Sequence, residues 1–283
     1  MYAITGITGQ VGASLAEALF EAKRSLRAVV RDAAKAQPFV DRGASFAVAD
    51  LDDTDALAKA FEGAEAVFIL LPPTFDPSPG YVESRRTVAS IRDALLAARP
   101  DRVVALSTIG ADAVEDNLLS QLAHMERELG TLPMPVTFLR AAWFIENAQW
   151  DVAMARDEGV IESYLQPLDR RIAMVATKDI GRLAARLLDE PAQGVRVVEL
   201  EGPERVSPND IAASLSRALD RDVVARAVPR DAWEARFRAQ GMNHPGPRMR
   251  MVDGFNEGWI DFGTSSIKGP TGLDNVIAGL VSR

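Results

Sequence analysis

The segment Gly6-Ile7-Thr8-Gly9-Gln10-Val11-Gly12 constrains the fold of this chain more than any other stretch. It follows a short apolar run, Tyr2–Thr5, and leads into Val11, Leu15 and Leu19, spaced at i, i+4 and i+8. Strand, glycine loop and amphipathic helix in that order predict a βα unit whose turn can cradle phosphate. Gly6 permits the tight turn out of the strand, and Gly9 lets backbone approach a pyrophosphate with no Cβ in the way. Gly12 lets the helix sit close to the sheet. Thr8, Gln10 and Val11 then lie where the helix N-terminus offers free N–H groups and a partial positive charge to an anion.

The same rhythm continues for half the chain. Strand candidates are Tyr2–Thr5, Leu26–Val30, Ser45–Ala49, Ala66–Leu71, Arg102–Ser107 and Val136–Leu139, with helical patterns near 11–22, 54–62, 81–98 and 118–130. Repeated βα units of this length predict an α/β fold, a Rossmann-type doubly wound parallel sheet with its chemistry at the C-terminal ends of the strands. After about residue 140 the pattern breaks, although a helix at 177–189 and a strand at 195–200 continue it. The stretch 203–262 holds Pro203, Pro208, Pro229, Pro245 and Pro247 and reads as irregular. The expected organisation is a dinucleotide-binding domain over 1–150, completed by about 177–202. A smaller C-terminal α+β substrate lobe over 151–283 is woven into it.

Composition narrows the partners. The chain has 283 residues and a net charge of −8, which argues against nucleic acid and against an anionic membrane surface. It has no cysteine, so disulfides, thiolate catalysis and Cys-ligated metal are excluded. Two histidines without HExxH spacing do not make a metal site. The opening MYAITG is already strand-like, leaving no room for a signal peptide, and no apolar run approaches the roughly 20 residues of a membrane span. The expectation is a cytoplasmic protein.

Cofactor choice is read at the end of the second strand. Ala28-Val29-Val30 ends in Arg31, nineteen residues past Gly12, where NAD enzymes carry a carboxylate. A guanidinium grips a 2′-phosphate with two donors, and Lys35 adds a second positive charge one turn on. These residues favour NADP(H), with Asp32 as a rival that would hold a ribose hydroxyl instead. At the third strand's end, Asp50 can accept from the adenine amino group while Leu51 packs on the ring. Asp52, Asp53 or Thr54 can cap the next helix. Leu70, Leu71 and Pro72 end the fourth strand and would wall the nicotinamide ribose.

Together these residues resemble the NmrA-like group of atypical short-chain dehydrogenases/reductases, in particular its quinone-oxidoreductase-like branch. The matching pieces are Gly6-x-Thr8-Gly9-x-x-Gly12, Val30-Arg31-Asp32-x-x-Lys35, Ala49-Asp50-Leu51-Asp52-Asp53 and Ser107-Thr108-Ile109-Gly110. They continue through His124-x-Glu126, Pro135–Arg140 and Trp143-Phe144-x-Glu146-Asn147. The resemblance implies an NADP(H) site with Ser107 and Thr108 beside it, and a small-molecule hydride acceptor. It also admits a non-catalytic redox sensor with a regulatory protein partner, and leaves a homodimer open.

The wider superfamily's Tyr-x-x-x-Lys pair is missing. Tyr2, Tyr81 and Tyr164 are the only tyrosines, and none has Lys four residues later. Ser107 remains as a catalytic candidate, and His124 lies where the missing pair would, although a lone histidine there can equally be structural. Reducing a simple ketone develops alkoxide charge that needs a positioned acid. A quinone yields a much more stable phenolate-like anion, so the missing pair disfavours ketone or sugar chemistry more than quinone reduction. Trp143, Phe144 and Asn147 follow the sixth strand and are candidates for the substrate pocket or for packing between lobes. His244 is a candidate for its mouth, and Met242–Met251 for an adaptable rim.

Overall fold

The computed structural model describes residues 1–282. Six parallel strands form its first half: β1 (Tyr2–Ile4), β2 (Leu26–Val30), β3 (Ser45–Val48), β4 (Ala66–Leu70), β5 (Arg102–Thr108) and β6 (Val136–Ala141). Between them run α1 (Gln10–Glu21), α2 (Gln37–Val40), α3 (Thr54–Phe61), α4 (Val82–Ala98) and α5 (Ser120–Leu129). The apolar stripe of α1 is buried as its spacing demands, with Val11, Leu15 and Leu19 all in the core.

Beyond residue 142 come β7 (Trp143–Phe144), α6 (Val152–Glu158), β8 (Val160–Ser163), β9 (Met174–Val175) and α7 (Thr177–Asp189). They are followed by β10 (Val195–Glu201), α8 (Pro208–Leu219), β11 (Val224–Ala227), α9 (Trp233–Ala239), α10 (Gly246–Glu257), β12 (Ile267–Lys268) and α11 (Leu273–Val281). The main sheet has eight strands in the order β12-β10-β6-β5-β4-β1-β2-β3. Every pairing in it is parallel. The strand order reverses between β1 and β4, which is the switch point where doubly wound sheets open a crevice for ligands. Two-stranded parallel ribbons, β7 with β9 and β8 with β11, lie apart from the main sheet.

The expectation for 203–262 is wrong: most of that stretch is helical. Pro208 does not break a helix but opens one, at N1 of α8, where a proline has no N–H to lose. Ser207 and Asp210 form a reciprocal capping box around it. Gly246 and Pro247 likewise start α10. Proline density therefore marks helix starts here, and read as punctuation it hides three helices.

α7 packs against α1 with almost no gap. A Cβ on Gly181 would stand 2.5 Å from the Leu15 nitrogen and 2.6 Å from the Ser14 Cβ. The start of α7 is tied to the chain after β7, because Glu146 accepts from the Thr177 backbone N–H at 2.9 Å and its hydroxyl at 2.7 Å. That clamp ties the segment 145–151 to the start of α7. Among the described residues no helix is long and apolar enough to cross a membrane, and no group of side chains is arranged to hold a metal ion.

Candidate active site

The glycine loop has the geometry its residues predict. Gly6 adopts φ +64, and Gly9 N–H donates to Gly6 O at 3.0 Å, closing the turn. At Gly12 a Cβ would lie 2.2 Å from Gly6 O and 2.6 Å from the Ile7 Cα, so no side chain fits. Gly9 is the N-cap of α1 and provides no side-chain cap, which leaves the first N–H groups of the helix for an outside acceptor. Thr8, Gly9 and Gln10 are exposed there, while Val11 turns into the core. Thr5 locks the loop's base to β4, donating to Phe68 O at 3.0 Å and accepting from Leu70 N–H at 2.9 Å.

Arg31 and Lys35 lie just past β2, and both are exposed. Asp32 is occupied: it N-caps the turn Ala33–Ala36, accepting from Ala34 N–H at 3.0 Å. One carboxylate oxygen is thereby engaged by backbone, and Arg31, exposed beside it, makes no ion pair among the described residues. At the end of β3, Asp50 accepts from Asp52 N–H at 3.0 Å, and Asp53 caps α3 through Ala56 N–H, also at 3.0 Å. Asp52 pairs with Arg86 at 2.6 Å. Leu51 is partly buried beside them.

A cavity of about 970 Å³ opens beyond the ends of β4 and β5. Leu70, Leu71, Pro72, Ser107, Thr108, Trp143, Phe144 and Asn147 all line it. Leu70 also touches the glycine loop, since a Cβ on Gly6 would be 3.1 Å from its Cβ. The phosphate loop and the cavity are thus neighbours along one edge of the sheet. The far wall comes from the C-terminal segments and is largely apolar, with aromatic rings at Trp143, Phe144, Trp150, Tyr164, Phe237 and Phe255. Trp143 meets Phe255 edge-on at 5.2 Å, and Tyr164 stacks on Phe237 at 4.8 Å. Met242 and Met251, from the expected rim, contribute as well.

Neither histidine candidate lines this cavity, whereas Ser107 does. His124 is buried on α5 against Arg85, Nδ1 standing 3.4 Å from the guanidinium, and it is not among the cavity-lining residues. Burial and the Arg85 charge both lower its pKa, favouring a neutral ring. His244 sits in a separate recess with Ser78, Tyr81 and Pro247. Ser107 does face the cavity, but its hydroxyl donates to Glu126 Oε1 at 2.5 Å. Glu126 is in turn held by Arg140, Nε to Oε1 at 2.9 Å and Nη2 to Oε2 at 2.8 Å. In the motif His124-x-Glu126 it is the glutamate that serves the site, because residues two apart on a helix point about 200° from each other.

Three charged residues of the cavity wall, Asp151, Glu162 and Arg248, belong to no sequence motif. Asp151, at the start of α6, makes no side-chain capping bond, and burial alone raises its pKa from 3.8 to about 6. Arg248, on α10, also lines the wall. Once α10 is recognised, Arg248, Met251, Val252 and Phe255 fall at i, i+3, i+4 and i+7, one helix face turned to the cavity.

Fold and site define the class: a Rossmann-type α/β protein with a glycine phosphate loop beside an apolar, aromatic-walled cavity. The chain belongs to the NmrA-like family, whose model matches residues 2–244. It is 28% identical over 258 residues to an NAD(P)H azoreductase of Xenophilus azovorans, covering 91% of this chain and 85% of that one. It is 27% identical over 244 residues to quinone oxidoreductase 2 of Escherichia coli K12, covering 86% and 82%. The fold matches the crystal structure of an E. coli NADPH-dependent quinone oxidoreductase complexed with NADPH, with TM-score 0.83, 24% identity and 99% of each chain covered. It also matches triphenylmethane reductase of Citrobacter sp. complexed with NADP(H), with TM-score 0.81, 20% identity and coverage of 99% and 100%.

Proposed function

We propose that this protein is an NADPH-dependent oxidoreductase that reduces a quinone or a similar conjugated acceptor, such as an azo compound, by hydride transfer. The observation that carries the proposal is the cavity of about 970 Å³ abutting the glycine loop at the sheet's switch point. The kinship with a quinone oxidoreductase and an azoreductase supports the same reading.

The cradle at Gly12 and the uncapped start of α1 fit a dinucleotide pyrophosphate. In this reading Arg31 and Lys35 hold the 2′-phosphate, Asp50 and Leu51 the adenine. Leu70, Leu71, Pro72, Ser107 and Thr108 wall the nicotinamide end. When bound, the reduced nicotinamide supplies the hydride. Residues 1–150 with 177–202 form the cofactor side, and the remaining segments after 150 cover the acceptor. Trp143, Phe144 and Phe255 keep water from the acceptor's face and offer flat surfaces to a conjugated ring.

Reduction also needs a proton on the acceptor. The Ser107 hydroxyl already donates to Glu126, and His124 lies outside the cavity. Asp151 is the acid in the wall whose proton is uncommitted, and a pKa of about 6 keeps a usable fraction protonated near neutrality. The Asp151 carboxyl gives its proton to the acceptor oxygen or nitrogen and regains one from solvent through the cavity mouth.

The test is to mix protein with NADPH and a panel of quinones and azo compounds and follow loss of reduced-nicotinamide absorbance. Protein-dependent turnover is expected. Tight NADPH binding with no turnover on any acceptor would replace the reductase with a redox sensor.

A further inference from the structure

Arginines on and around α10 are paired, with one exception. Arg250 lies 3.6 Å from Glu115 and from Asp253, and Arg230 grips Asp253 with bonds of 2.7 and 2.8 Å. Arg248 has no acidic partner among the described residues. Its guanidinium lies 4.6 Å from the Phe237 ring and 5.8 Å from the Phe75 ring, and its one polar contact is the Met242 sulfur at 3.6 Å. Ring faces attract the charge but accept little from its five N–H donors, and a thioether is a weak acceptor.

Its place on the helix adds to the cost. Arg248 stands in the first turn of α10, which has neither an acidic residue nor a side-chain cap. The helix dipole disfavours a cation there and favours an anion. Burial also lowers the pKa of the side chain. Asp151, the other unpaired charge in the wall, makes no ion pair with it, and the one polar contact of Arg248 is the Met242 sulfur. Glu162, the remaining charged lining residue, is taken by Arg236. A positive charge left unmatched in an apolar wall is what a site for an anionic ligand group requires.

We propose that Arg248 is a specificity residue that binds an anionic substituent on the acceptor, so that the preferred substrates are planar aromatic compounds bearing a carboxylate or sulfonate. This rests on the reductase reading for the word substrate, but the recognition itself does not. The fork of the guanidinium matches a carboxylate with two parallel hydrogen bonds, while the buried Phe237 ring backs it and the exposed Phe75 ring beside it can pack on the attached ring.

The experiment is an equilibrium titration of two redox-inert probes of equal shape, 2-naphthoate and 2-naphthamide, with and without saturating NADPH. The protein should bind naphthoate at least about tenfold more tightly than naphthamide. Arg248→Met should abolish that preference while leaving naphthamide and NADPH affinity as in the wild type, and Arg248→Lys should retain part of it. Retained naphthamide binding shows that the variant is folded. Equal affinity of the wild type for both probes, no binding of either, or a preference that survives Arg248→Met would overturn the proposal. So would loss of NADPH affinity in Arg248→Met, which would place the guanidinium on the cofactor. Neither probe accepts hydride, so absent NADPH turnover on every acceptor would sink the reductase reading and leave this result standing.

Discussion

Asp151 shows how one side chain links burial, stability and chemistry. Burial raises its pKa from 3.8 to about 6, so between those values the folded chain holds a proton that the unfolded chain has released. Its stabilising contribution is complete below about pH 4 and is lost as pH rises through about 6. Asp151→Asn should therefore be more stable than the wild type by about 1–3 kcal/mol at pH 7.5. In denaturant titrations that gap should close toward pH 4, and a gap that does not change with pH would refute the assignment. In the sequence an aspartate after Trp150 looks like any helix cap. Its meaning lies in the apolar groups that pack around it, which no local pattern announces. Arg31 was legible as a candidate because the positional rule points to the residue at that strand end. The rival beside it, Asp32, shows its capping bond to Ala34 N–H only in the structure.

At the scale of elements, the close approach of α1 and α7 makes a sharp prediction. Gly181→Ala puts a methyl within 2.6 Å of the α1 backbone and Ser14, and neither can move without shifting a helix. It should cost about 1–3 kcal/mol, the usual penalty of overpacking. Gly279→Ala in α11 meets nothing within 4 Å and should instead gain up to about 1 kcal/mol by its better helix propensity. Urea unfolding of the two variants checks this, and similar effects from both would show that the helix contact is not as tight as described. The elements of the first half were readable because each βα unit repeats one pattern: a short apolar run, a turn, an apolar stripe at helical spacing. Beyond 203 the prolines mislead. Pro208 and Pro247 occupy helix starts, and only the capping residue Ser207 with Asp210 separates that role from a break.

For the whole molecule, the order of the sheet brings distant residues together. The reversal between β1 and β4 sets the glycine loop beside Leu70, and the ends of β4 and β5 open onto a wall built from residues 143–255. The near side of that site is local in sequence, one loop or strand end at a time, and so could be named in advance. On the far side Trp143, Phe144, Asn147, Met242 and Met251 could be named too, but the residues from β8 and α9, with Asp151 and Arg248, share no motif and so could not. The central claim is that these two sides make an NADPH-dependent reductase. It is tested most directly by steady-state kinetics with NADPH and NADH on one reducible quinone, for the wild type and Arg31→Ala. The account predicts a preference for NADPH of at least about tenfold, as the loss of a paired phosphate contact implies. In Arg31→Ala the ratio should fall close to one through a higher KM for NADPH, with kcat little changed. No turnover with either cofactor, or a preference unaltered by the substitution, would contradict it.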